Sequence, residues 1–265
     1  MKRVVFVLTA VITMFTAGVL TPAQGAGLQI MIENLQPAGG YYFTPVWLGF
    51  HDGGFDLFDM GATASSELEM IAEEGNPAPL GALFNSVMNG DGSSRQGAVV
   101  TAPAGFPGAP VFDPGDSVTQ MIDVMDPASN RYLSFASMVI PSNDTFFGNM
   151  DPMGYEVFNA DGSFAGPITI DIMGNGLYDA GTEVSNAMGA AFSALGGTSS
   201  DEGGVVNMSV NLDNFLNSDT AAGTSITSAL GSSPLARIHI SAVPEPTSIG
   251  LLLCALPALL RLRRS

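Results

Sequence analysis

The sequence is poor in the side chains that build disulfides, zinc sites and basic binding surfaces. Its 265 residues include one cysteine, Cys254, two histidines and eight lysines and arginines, against 25 aspartates and glutamates. One cysteine excludes an internal disulfide, and two distant histidines argue against a structural zinc site. The formal charge of −17 argues against nucleic acid as a partner, because nucleic-acid binding needs a basic surface.

The first 25 residues have the organisation of a secretory signal peptide. Lys2 and Arg3 precede an apolar run over residues 4–20, and Ala23-Gln24-Gly25 follows as a small-x-small cleavage pattern. The alternative is an uncleaved N-terminal membrane anchor, although the run is shorter than the ~20 residues of a typical span. We expect the protein to be exported.

Residues 243–265 form a three-part C-terminal segment. Pro244-Glu245-Pro246 precedes an apolar stretch over residues 249–260, and three arginines lie within the last five residues. This order resembles the PEP-CTERM sorting tail of bacterial surface proteins. The resemblance implies recognition by an exosortase, transient anchoring in the inner membrane, and delivery to the cell surface or extracellular matrix. The alternative is a simple C-terminal anchor helix.

Residues 26–242 remain as one predicted domain with a strongly acidic balance. Arg95, Arg131 and Arg237 stand against 24 acidic residues, which gives a formal charge of −21. This charge argues against direct binding to anionic lipid and favours cations, either soluble or bridging to acidic polymers. About 215 residues are enough to bury a core without disulfides.

Most of this domain shows the period-two alternation of half-buried strands. Leu28, Ile30 and Ile32 alternate with Gln29 and Glu33, with Met31 as a mixed position, and the residues Asp-Gly at 161–162 mark a tight hairpin turn. Many short strands separated by Gly, Pro, Asn and Asp predict an all-β antiparallel sandwich. The predicted strands cover residues 28–35, 117–124, 132–139, 167–172, 205–212 and 235–243.

A short helical insertion near residues 64–89 interrupts the strands. Ser66 and Glu69 form a candidate capping box, and Gly75 provides a helix end. A second helical pattern follows directly. Its apolar face is predicted to contain Leu80, Leu83, Phe84, Val87 and Met88.

Three segments, taken in order, resemble the spondin-domain family. They are TPVWLGFHDGGFDLFDMGATASSELEMIAEEG (44–75), FASMVIPSNDTFFG (135–148) and YDAGTE (178–183). The resemblance spans roughly residues 28–242. It implies a β-sandwich similar to calcium-dependent membrane-binding modules, with one calcium ion held by loops at one end. Animal members carry disulfides, and the domain of this chain has none.

Two carboxylates lie four residues apart around a glycine, at Asp179 and Glu183. Ca²⁺ takes 6–8 oxygen ligands, and carboxylates on short loops supply some of them. The spondin resemblance adds Asp144 from another part of the chain. We therefore predict one calcium site at Asp144, Asp179 and Glu183. The alternative is that Asp144 and Asp179 only cap turns, as aspartate often does.

Other candidate sites carry weaker signals. His51 and Asp52 suggest a general base or a metal ligand, but packing or hydrogen bonding within a loop is the favoured role for His51. An EF-hand-like loop starting at Asp171 fails at its third and twelfth positions, Met173 and Thr182. Trp47 is expected in the core rather than on a sugar-binding surface.

The sequence predicts an acidic, calcium-binding protein that is adhesive or structural and is not an enzyme. Its expected partners are an exosortase and extracellular polysaccharide or surface proteins. One alternative is a secreted enzyme acting on matrix polysaccharide, which needs two carboxylates in an open groove. A second alternative is a soluble ligand-binding module, which needs a closed apolar pocket.

Overall fold

The computed structural model describes residues 25–103, 106–186, 190–196, 198–209 and 212–243. Within these residues, two antiparallel sheets form the predicted sandwich. The predicted signal peptide as far as residue 24 and the predicted sorting tail from residue 244 lie outside the described residues. In the described part of the chain, no helix is long and apolar enough to span a membrane.

The described residues form eleven strands, two α-helices and two 3₁₀ turns, the latter at Gly174–Gly176 and Asp213–Phe215. In chain order the elements are β1 (Ala26–Asn34), β2 (Tyr42–Phe43), β3 (Val46–His51), α1 (Ser66–Glu74), α2 (Ala78–Ser86), β4 (Gln96–Val100), β5 (Ser117–Val124), β6 (Tyr132–Ile140), β7 (Thr145–Gly148), β8 (Ile168–Met173), β9 (Tyr178–Asp179), β10 (Asn207–Met208) and β11 (Pro234–Ala242).

The smaller sheet has the strand order β5-β1-β11-β8. Its register aligns the apolar positions of neighbouring strands, so that Ile32 lies opposite Ile238 and Ile238 opposite Ile170. Leu28 and Ile30 are fully buried. Burying each such side chain contributes about 1.5–3 kcal/mol, and a shift by one residue would expose the whole set.

The larger sheet has the order β10-β9-β7-β6-β3-β4, and β2 also pairs with β6. Its inner face packs on the smaller sheet, while α1 and α2 cover its outer face with a second apolar cluster. In that cluster the rings of Trp47 and Phe84 meet edge to face at 5.1 Å. Trp47 is fully buried, as expected for a core residue.

The helical insertion differs from its prediction in two details. The N-cap of α1 is Ser65 rather than Ser66, because the Ser65 Oγ accepts from the backbone N–H of Leu68 at 3.2 Å. Gly75 ends the helix with a φ of +62°, as predicted. The second helix ends at Ser86, so its predicted apolar face is only partly correct. Leu80 and Phe84 are buried, whereas Leu83, Val87 and Met88 are exposed.

The predicted strand over residues 205–212 is also shorter than expected. Its described part forms only the two-residue strand β10, and a 3₁₀ turn begins at Asp213. Residues 210–211 lie outside the described residues. At the predicted hairpin turn, Gly162 has a φ of +81°, which a glycine adopts without strain.

Candidate functional site

The pairing of β7 with β9 joins the segments that carry the predicted calcium ligands. Thr145 lies opposite Asp179 in this ladder, which places the loop before β7 against the turn after β9. The backbone N–H of Ala180 donates to the carbonyl oxygen of Asp144 at 3.1 Å. Asp144, Asp179 and Glu183 therefore belong to two adjoining segments, although the first two are 35 positions apart in sequence.

Asp144 is fully buried, and its two carboxylate oxygens have different surroundings. Its Oδ2 accepts from the backbone N–H groups of Thr182 and Glu183, each at 3.2 Å. Its Oδ1 is buried without a hydrogen-bond partner. Burial, and then the charge of Asp179, raise the pKa of Asp144 from 3.8 to about 7. The site therefore favours a proton or a cation beside this carboxylate.

Asp179 holds the turn that follows it. Its Oδ1 accepts from the backbone N–H of Gly181 at 2.8 Å. Gly181 has a φ of +67°, and a Cβ at this position would lie 2.5 Å from the carbonyl oxygen of Val205. Asp144 and Asp179 thus both cap the turn, as the alternative interpretation expected. Capping occupies one oxygen of each carboxylate and leaves the second oxygen for another role.

Glu183 is nearly buried and is held by an amide from the neighbouring loop. Its Oε2 accepts from Asn143 Nδ2 at 3.2 Å, and Asn143 Oδ1 accepts from the backbone N–H of Asn186 at 2.9 Å. Asn143 therefore fixes the direction of the Glu183 side chain. No sequence pattern pointed to Asn143 as a part of this site.

A further carboxylate, Glu73, approaches the same turn from α1. Burial is the main reason that its pKa rises from 4.5 to about 7, and the charge of Glu183 adds to the increase. The nearby polar side chain of Thr182 acts in the opposite direction. The sequence prediction missed Glu73 because only the packing of α1 on the larger sheet brings it here. We call Glu73, Asp144, Asp179 and Glu183 the acidic cluster.

The three arginines of the described residues are all engaged elsewhere. Arg131 pairs with Glu156. Arg237 pairs with Asp171 at 2.6 Å. Arg95 donates to the Gly54 carbonyl oxygen at 3.1 Å and lies over the rings of Phe55 and Phe84. These arginines therefore do not neutralise the carboxylates of the acidic cluster.

The fit of this cluster to a hard cation is partial. The unpartnered Oδ1 of Asp144, next to the Asp179 carboxylate, is the kind of oxygen donor that Ca²⁺ prefers. Glu183 is turned toward Asn143. Among the residues that the structure describes, no group of three or more His, Cys, Asp or Glu side chains is arranged to hold a metal ion.

His51 is buried and hydrogen-bonded on both ring nitrogens. Its Nδ1 accepts from the Gly53 backbone N–H at 2.9 Å, which places the proton on Nε2, 2.9 Å from Ser134 Oγ. Burial is the main cause of a pKa lowered to about 4, and the nearby Arg95 adds to it. These contacts hold the loop after β3 and keep the imidazole neutral.

No family model matches this chain, and no curated protein matches it. The spondin and sorting-tail resemblances therefore depend on the sequence motifs alone.

Proposed function

We propose that this protein is an exported, spondin-like β-sandwich that binds one calcium ion through Asp144, Asp179 and Glu183. We further propose an adhesive or structural role at the cell surface or in the extracellular polymer matrix. Export and sorting by an exosortase are inferred from the two terminal sequence motifs.

The observation that best supports a cation here is the buried, unpartnered Oδ1 of Asp144. An unsatisfied buried polar atom costs about 1–3 kcal/mol, and more if it is charged. A cation beside Asp144 and Asp179 would remove that cost and reduce the repulsion between the two carboxylates. It would also tie the loop before β7 to the turn after β9.

Calcium suits these residues better than magnesium. Ca²⁺ accepts irregular sets of carboxylate, carbonyl and water oxygens at about 2.3–2.6 Å, whereas Mg²⁺ needs a tighter octahedron and keeps several waters. Asp144 and Asp179 come from separate segments, and together with Glu183 they would give such an irregular donor set. Backbone carbonyls and water would supply the remaining ligands.

Thermal melting in chelator and in millimolar calcium tests this proposal. A ligand that binds only the folded state at a hundredfold excess over Kd stabilises it by about 2.7 kcal/mol. We expect calcium to raise the Tm of the parent protein and to have little effect on Asp179→Asn. A parent protein with the same Tm in both buffers would contradict a stabilising site.

Asp161 offers a matched control for turn capping. Its Oδ1 accepts from the backbone N–H of Ser163 at 2.9 Å, much as Asp179 accepts from that of Gly181 at 2.8 Å. Asp161 is exposed and lies outside the acidic cluster. Asp161→Asn should therefore leave the response to calcium unchanged. Equal responses in Asp161→Asn and Asp179→Asn would mean that Asp179 only caps its turn.

A further inference from the structure

A cleft of about 270 Å³ opens between the edges of the two sheets. Residues 170–173 of β8, the edge strand of the smaller sheet, line one side, and Phe135 and Phe147 of the larger sheet line the other. At the opposite edge of the smaller sheet the gap is bridged, because the Gln96 side chain of β4 donates to the Asp123 carbonyl oxygen of β5 at 2.5 Å. The sandwich is therefore open along β8, and we call this opening the β8 cleft.

Two half-buried tyrosines, Tyr155 and Tyr178, line the β8 cleft. The Tyr155 ring packs on that of Phe135 at 5.7 Å, and the Tyr178 ring packs on that of Phe146 at 5.6 Å. Burial raises the pKa of Tyr155, and the Tyr178 phenol adds to the increase, which places the two phenols near each other. Among the described residues, neither hydroxyl has a hydrogen-bond partner. Both hydroxyls are therefore available to a ligand.

Asn175 adds an amide to the lining of the β8 cleft. It is the middle residue of the 3₁₀ turn Gly174–Gly176, and the described residues give its side chain no hydrogen-bond partner. Asn175 also lines a neighbouring hollow of about 380 Å³, together with Ser209 and Leu230. Its amide offers two donors and an acceptor oxygen with two lone pairs. A ligand that extends along both hollows would thus pass this amide.

The lining of the β8 cleft limits the class of ligand that it can hold. Asp171 is the one charged side chain among the described residues that line it, and Arg237 donates to both of its carboxylate oxygens, at 2.6 and 3.2 Å. A charged ligand would therefore find no free opposite charge there. Aromatic rings beside hydroxyls and an amide suit an uncharged sugar ring, because its apolar face packs on a ring while its hydroxyls form hydrogen bonds.

We propose that the β8 cleft binds a neutral hexose polysaccharide. The Tyr155 ring packs on the apolar face of one sugar, and the Tyr155 and Tyr178 hydroxyls form hydrogen bonds with sugar hydroxyls. The Asn175 amide bonds to the next sugar, where the two hollows meet. No residue of the acidic cluster lines the β8 cleft, so this binding does not require calcium. The inference therefore goes beyond the proposed calcium site and does not depend on it.

Isothermal titration of the purified protein with four neutral oligosaccharides tests this proposal: cellohexaose, laminarihexaose, maltohexaose and mannohexaose. We expect at least one of them to bind, with the same affinity in chelator and in calcium. Asn175→Ala should weaken that binding about fivefold, because one hydrogen bond contributes about 1 kcal/mol. Tyr155→Phe keeps the ring and removes the hydroxyl, and it should weaken binding by a similar factor. Both variants should keep the Tm of the parent, since the deleted groups have no partner among the described residues.

Asn214→Ala and Tyr132→Phe are the matched controls. Asn214 is the middle residue of the other 3₁₀ turn, Asp213–Phe215, and Tyr132 is another half-buried tyrosine. Neither residue lines the β8 cleft or the neighbouring hollow. Both variants should bind the oligosaccharide like the parent, and equal weakening in Asn175→Ala and Asn214→Ala would overturn this inference.

Three other results would also overturn it. The first is that none of the four oligosaccharides binds at millimolar concentration; a calcium-induced rise in Tm of the same protein would then leave the proposed function standing. The second is binding that is lost in chelator or restricted to a charged oligomer such as polygalacturonate. The third is cleavage of the bound oligosaccharide, detected as new reducing ends, which would favour an enzyme.

Discussion

Replacing Asp144 with asparagine should stabilise the protein when no calcium is present. In the calcium-free protein the buried Asp144 carboxylate lies beside Asp179, and the Oδ1 of Asp144 has no hydrogen-bond partner. An asparagine can keep its oxygen at the N–H groups of Thr182 and Glu183 and turn its NH₂ group toward Asp179. The substitution therefore replaces a repulsive contact with a favourable one.

The expected size of this effect follows from the pKa of Asp144. The folded-state pKa of about 7 lies above the ordinary aspartate pKa of 3.8, so the folded protein holds this proton more tightly than the unfolded chain. Stability is therefore lost as the pH rises from about 4 through 7, by up to about 4 kcal/mol. Asparagine does not ionise and avoids this loss. If the variant avoids even half of this loss of stability, its Tm should be higher than that of the parent by about 4–8 °C.

The assay is a pair of thermal melts in chelator, at pH 5 and at pH 8. The variant should melt higher than the parent at pH 8, and the difference between their melting temperatures should be clearly smaller at pH 5. Glu73 titrates in the same range, so Glu73→Gln should remove part of the remaining pH dependence. If Asp144→Asn melts at or below the parent at pH 8, the argument that this carboxylate is uncompensated is refuted.

Three further substitutions test other parts of the account. Gly181→Ala should lower the Tm in chelator and in calcium. Residue 181 has a positive φ, and the new Cβ would lie 2.5 Å from the Val205 carbonyl oxygen. An unchanged Tm would contradict this geometry. Ser65→Ala should cost about 1 kcal/mol through loss of the cap on the Leu68 N–H, as measured by urea unfolding, whereas no loss would argue against that cap. Replacing Pro244-Glu245-Pro246 with alanines should leave uncut precursor in the membrane of a host with an exosortase, and an unchanged C-terminal mass would count against a sorting tail.

Local sequence patterns were sufficient to predict the fold class. The alternation of Leu28, Ile30 and Ile32 places their side chains on one face of a strand, and all three are buried against the second sheet. Gly75 marked the end of α1 correctly, since its φ of +62° suits glycine. The buried face of α2 was less predictable, because Leu83 fits the helical pattern of apolar residues and is nevertheless exposed.

The surroundings of the acidic cluster could not be predicted from local patterns. Asp179 and Glu183 are close in sequence, and the spondin resemblance suggested Asp144. Glu73 joins them only through the packing of α1 on the larger sheet. Such contacts depend on tertiary structure, and no spacing rule in the sequence indicates them.

Calcium titration by calorimetry, with the parent protein and Asp179→Asn, tests the central proposal most directly. A calcium site at these carboxylates predicts binding of one calcium ion per chain in the parent. It predicts greatly weakened binding in Asp179→Asn, while the exposed control Asp161→Asn binds like the parent. Absence of calcium binding by the folded parent at millimolar concentration, or equal binding in Asp179→Asn, would contradict a calcium site at these carboxylates.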